Sequence, residues 1–197
     1  MQKELSEFKE AASNRHWNEC IKLTEKLLEQ LDGRKCVLLA IKHVQEFLPI
    51  FEAHHPDTKW PRKRLEEILD TVQERNSTGS ANFVLPEIDS EFETPGSNGF
   101  VTELEELWEL VQSPGSRRNC PEKASKIIAG IIMVKMTRSW GMRNPHLWLR
   151  WYRSAIKGDA SEYGLLAEAF MDDAEVAKLE IAEWHNVANQ IQALLDK

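Results

Sequence analysis

The sequence predicts an all-α protein: a bundle of about eight helices in two packed halves joined by a long acidic loop. Two observations carry that expectation. Apolar residues recur three and four apart along nearly the whole chain, while alternation of period two is scarce. Prolines, glycines and capping residues also fall where such helices would begin and end. A third observation bounds the size of the fold. With 197 residues, 42% hydrophobic and 29% charged, the chain can bury one core of ordinary size, or two small halves sharing an interface. The longest apolar run, IIAGIIMV at 127–134, is flanked by Lys126 and Lys135 and is far short of the roughly 20 residues of a membrane span. The start, MQKELSEFKEAASN, lacks the apolar core of a secretion signal. A cytoplasmic location and no membrane partner are therefore expected.

The elements follow in order. Leu5, Phe8 and Ala12 mark a first short helix, and Trp17, Cys20, Ile21, Leu27, Leu28 and Leu31 form the stripe of a second. Asp32-Gly33 reads as its end, with glycine as a left-handed cap. The pair resembles a helical hairpin of the tetratricopeptide kind, without a second copy. A third helix spans about 34–53 on Val37, Ile41, Val44, Leu48 and Phe51, and Pro49 predicts a kink or break near Leu48. A fourth starts with Asp57 or Thr58 as cap and Pro61 in its first turn, then Leu65, Ile68, Leu69 and Val72.

Residues 76–102 contain 15 Ser, Thr, Asn, Gly or Pro among 27, too many for an ordered element and too long for a plain connection. We read them as a linker, or as a strap whose middle, FVLPEIDSEFE, docks on basic residues. The N-terminal half is then 1–75 and the C-terminal half 103–197. The latter opens with an acidic helix, VTELEELWELVQ. The next is apolar nearly all round, NCPEKASKIIAGIIMVKM, with Asn119 as cap, Glu122 in a capping box, and Gly130 admitting a close neighbour. Asn144 and Pro145 start another helix, which Gly158 ends. Asp159 caps a short one, and Ala174, Ala177, Ile181, Trp184, Ala188, Ile191 and Leu195 mark the last, packed in the bundle rather than paired as a coiled coil.

Charge is segregated along the chain. Residues 76–116 carry eight anions and no cation, 117–157 carry ten cations and one anion, and 158–197 carry nine anions and two cations. Three cysteines with no C-x-x-C spacing read as reduced packing residues. No G-x-S-x-G, phosphate loop or G-x-G-x-x-G occurs, so no enzyme activity and no cofactor are expected. His54, His55 and Asp57, with His43 and Glu46, could hold a divalent metal, but their offsets match no zinc pattern, so no metal is assigned and the histidines read as closing the third helix.

Two basic clusters remain. Lys59, Arg62, Lys63 and Arg64 crowd the first turns of a helix, where the macrodipole disfavours cations by about 0.3–1 kcal/mol each. Local pairing with Glu52, Glu66 and Glu67, the acidic strap, or an acidic partner could each offset them. The segment 138–157 interleaves Arg138, Arg143, Arg150, Arg153 and Lys157 with Trp140, Trp148, Trp151 and Tyr152. That mixture suits an anionic protein surface or single-stranded nucleic acid. Trp148, Tyr152, Ala155 and Ile156 fall on one helical face, which would place most of the aromatics in the core, and the acidic blocks could neutralise the cations internally.

The stretch AIKHVQEFLPIFEAHHPDTKWPRKRLEEI, 40–68, resembles the motif region of a bacterial immunity protein family associated with polymorphic toxin systems. Leu48, Pro49, Phe51 and Glu52 match its helix end, Pro56 and Asp57 its corner, and Pro61 and Arg62 its next helix start. Trp60 stands where that family carries an arginine. The resemblance implies a non-enzymatic cytoplasmic protein that neutralises a toxin by binding it. The expected function is thus a protein-binding module of immunity or antitoxin type, its partner presenting an acidic surface to Trp60, Arg62 and Arg64 and to Arg143, Arg150 and Arg153. The alternative is a nucleic-acid-binding regulator using 138–157.

Overall fold

A computed structural model describes residues 2–73, 92–112 and 119–196. Among them the chain forms nine α-helices and no strand: α1 (Gln2–Ser13), α2 (Trp17–Leu28), α3 (Gly33–His54), α4 (Trp60–Gln73), α5 (Ser97–Gln112), α6 (Cys120–Arg143), α7 (Pro145–Lys157), α8 (Ala160–Met171) and α9 (Ala174–Leu195). The all-α expectation holds. Helix α6 is the central element, because its apolar residues go all the way round. Ile127, Ile128, Ile131 and Ile132 are all buried, and the helix packs against α2, α3, α5 and α9, with α7 on its C-terminal end. Burying each such side chain stabilises the fold by about 1.5–3 kcal/mol.

Around α6 the core is continuous from Leu5 to Ile191. The hairpin α1–α2 closes it at one end, where Trp184 of α9 is wholly buried with its ring edge-on to Phe8 at 5.9 Å and to Trp17 at 5.2 Å. Helix α9 packs on α1 and α6 within the bundle. No described helix is long and apolar enough to cross a membrane.

Several local expectations need correction. Asp32 and Gly33 do not cap the end of α2; that helix stops at Leu28, and Asp32 instead caps α3, its side chain accepting from the Lys35 N–H at 2.9 Å. Helix α3 runs through Pro49 without a break. Pro49 and Gln45 are both exposed, so water can take the carbonyl bond that proline cannot supply. The capping box at α6 is not made: the Asn119 side chain makes no cap bond, and Glu122 pairs with Lys126 at 2.7 Å. Asn144 bonds back to the Trp140 carbonyl at 3.1 Å rather than forward into α7. Gly158, at φ 69°, does end α7 in the left-handed conformation, and Asp159 does cap α8, accepting from the Glu162 N–H at 3.1 Å.

The proposed strap lies largely outside the described residues, which exclude 74–91. Its C-terminal boundary moves, because 97–102 belong to α5. The residues just before that helix are docked. Phe92 is buried against Phe51 and His55, with ring centroids 5.1 and 4.6 Å away, and the Trp148 indole N–H donates to the Glu93 carbonyl at 2.7 Å.

Candidate partner-binding surface

The α3–α4 corner places its cations by local pairing. Arg62 forms a bidentate bridge to Glu52, with Nε 2.7 Å from Oε1, so the carboxylate at the end of α3 offsets the charge at the start of α4. Arg64 departs from expectation. Only 2% exposed, it is part of the core and not of the surface. Its guanidinium lies 4.4 Å over the Trp108 ring, 3.0 Å from Glu67 and 3.7 Å from Glu105. Spacing explains this, since Arg64 shares a face with Leu65, Ile68 and Val72, turned toward α5. Trp60 is half-buried on the same core.

Structure links this corner to the basic segment. His54 meets the Arg138 guanidinium at 2.7 Å, and His55 meets the Ser97 hydroxyl at 3.1 Å. The histidines therefore face side chains of α6 and α5, not the free carbonyls of α3, and do not assemble with Asp57 into a metal site.

Helix α7 is the least covered amphipathic element. Only Ser154 is fully buried on it. Leu147, Trp148 and Trp151 turn toward the core, with Trp151 edge-on to Trp140 at 5.5 Å and against Phe170 of α8 at 5.4 Å. This corrects the face expected from Trp148, Tyr152, Ala155 and Ile156. Ala155 and Ile156 are exposed, Ile156 by 57%. A choice of register by one residue separates the two faces, and Trp151 decides it by packing on Trp140 and Phe170.

The result is an apolar surface along the α7–α8 hairpin. An open hollow of about 200 Å³ is lined by Thr137, Trp148, Trp151, Tyr152, Ala155 and Tyr163. Trp148 stacks on Tyr152 at 6.0 Å, and Trp151 leans on Tyr163 at 5.6 Å. Ile156 and Tyr163 stand out beside it, and Leu165, further along α8, is 66% exposed. Helix α8 itself buries only Leu166 and Phe170. Sequence reasoning passed over Tyr163 and Leu165; the signal available was that LLAEAF alternates too few polar residues to be covered on every side.

Cations border this surface unequally. Arg143 is tied down, its two terminal nitrogens donating to Asp173 at 2.9 and 2.8 Å. Arg143 and the N–H groups of Val176 and Glu175, which Asp173 caps, hold that carboxyl down to about 2. Arg150 bridges to Glu162 at 2.7 Å while remaining 61% exposed. Arg153 and Lys157 are exposed and have no ion-pair partner among the described residues. Among the described residues, three further cations of the basic block are paired from within: Lys123 with Glu109, Lys126 with Glu122, and Lys135 with Glu46 and Glu183.

No protein family, curated protein or solved structure matches this chain.

Proposed function

We propose that the chain is a non-enzymatic, cytoplasmic protein-binding module of immunity or antitoxin type, which neutralises or regulates a protein partner by covering part of it. The observation that carries this reading is the apolar face of α7–α8 left exposed among the described residues, with Ile156, Tyr163 and Leu165 on it and Arg150, Arg153 and Lys157 at its border. Aromatic and arginine side chains around an apolar hollow are what binding hot spots are made of. Such a face suits a partner with an apolar centre and acidic rim, and the cations would speed encounter. Arg62 and Trp60 at the corner form the second, smaller contact; Arg64 acts from the core by holding α4 against α5, and Arg143 by fixing the start of α9.

The pairing of Lys123, Lys126, Lys135 and Arg143 within the fold supports a protein partner over nucleic acid, because phosphate binding needs several unpaired cations along one track. Arg150→Glu and Arg153→Glu should each weaken partner binding at least tenfold, with helical circular dichroism and melting temperature unchanged. Undiminished affinity in both variants would remove α7 from the interface. A log-log salt dependence steep enough to count many phosphates would move the function to nucleic acid.

A further inference from the structure

A second cluster lies at the junction of α3, α6 and α9, away from α7–α8. The Lys135 ammonium on α6 sits 2.8 Å from Glu46 Oε2 on α3 and 2.8 Å from Glu183 Oε2 on α9. His43, three residues before Glu46 on the same helix, is wholly buried, and neither of its ring nitrogens has a hydrogen-bond partner among the described residues. Leaving such a buried group unsatisfied is costly, so its position calls for a ligand. One imidazole nitrogen and a carboxylate oxygen from each glutamate already lie within 4.8 Å of one another.

We propose that His43, Glu46 and Glu183 form a binding site for a divalent cation of the zinc or cobalt class, opened when the Lys135 side chain swings out. One nitrogen and two carboxylate oxygens are a donor set that these ions accept, with water completing the shell. Donors on one ion at about 2.0–2.2 Å stand roughly 3–4 Å apart, so modest rotations of the two glutamate side chains close the site. Two carboxylates and one ammonium leave one net negative charge; a divalent ion in the ammonium's place cancels it. A route to solvent exists, because the side chains of Lys135 and Glu46 are 14% and 33% exposed. The bound ion would tie three helices of the bundle together, with Lys135 as its built-in competitor.

The test is titration of the full chain with Co²⁺, followed by visible absorption, and with Zn²⁺, followed by calorimetry and melting temperature. Expected are one ion per chain, a raised melting temperature, and at least tenfold tighter binding in Lys135→Met, which lacks the competitor. Adding His43→Phe to Lys135→Met should weaken binding at least tenfold. Should that double variant not fold, Glu183→Gln in the Lys135→Met background supplies the same comparison. No stoichiometric binding to the wild-type chain, or binding that survives loss of His43 or Glu183, overturns the proposal.

Discussion

Arg15→Ala is expected to lower stability by about 3–5 kcal/mol, the usual penalty for stranding one member of a buried ion pair. Glu180 of α9 is wholly buried, and its Oε2 accepts from Arg15 Nε at 2.8 Å while its Oε1 has no partner among the described residues. Arg15 also donates from Nη2 to the Met171 carbonyl at 2.9 Å, so one side chain joins the α1–α2 turn to the α8–α9 turn. Arg15 takes φ 57° because it is the left-handed residue that ends α1: its N–H donates to the Ala12 carbonyl at 3.1 Å and the His16 N–H to the Ala11 carbonyl at 2.9 Å. Loss of the Arg15–Glu180 pair is a large fraction of the 5–15 kcal/mol that holds a typical domain folded. The double variant Arg15→Ala/Glu180→Met should recover most of the loss, because it removes both charges and keeps the volume on α9. Urea denaturation of the three proteins checks this. An Arg15→Ala midpoint equal to wild type would mean that the pair does not support the fold.

Glu103→Gln is expected to raise stability above pH 7 and to leave it nearly unchanged at pH 4. The Glu103 carboxyl on α5 lies against Gly130 of α6, where a Cβ would come within 2.0 Å of its Oε1. Burial between the two helices, and then the neighbouring Glu106 charge, push its pKa up to about 7 from an ordinary 4.5. Between those two values the folded chain holds a proton that the unfolded chain has released. Stability therefore falls as pH rises through that window, and above pH 7 the folded state carries the full cost of ionisation, up to about 3 kcal/mol. Glutamine has the same shape and no charge to lose. Urea midpoints of wild type and variant at pH 4 and pH 8 decide it: the difference between the proteins should be small at pH 4 and large at pH 8. Profiles that stay parallel would mean that Glu103 ionises freely in the folded state.

These two sites show what the sequence could and could not reveal. Gly130 was legible as a point of close approach, since a glycine inside an unbroken apolar helix has few other uses; that Glu103 fills the space was not, because nothing local ties 103 to 130. Likewise His43 and Glu46 were readable as neighbours three apart, whereas Glu183 comes from the far end of the chain and reaches them only through packing of α9 on α6. Helix type and order followed from periodicity and from Pro61, Pro121, Pro145 and Gly158. Arg64 was misplaced for a physical reason. A cation in a basic run reads as solvated, yet its position on the stripe of Leu65 and Ile68 carried it inward, where Glu67, Glu105 and Trp108 receive it. On α7, one-residue differences in face were settled by Trp140 and Phe170, which lie on other helices.

The central claim is that the exposed α7–α8 face binds a protein. The most direct test captures partners from an extract of the native host on tagged wild-type chain and on an Arg153→Glu/Ile156→Asp variant, with and without nuclease. The account predicts one protein recovered in near-stoichiometric amount by the wild type, resistant to nuclease, and lost with the variant, which remains folded. Equal recovery by both chains, or recovery of nucleic acid whose digestion releases the proteins, would contradict it.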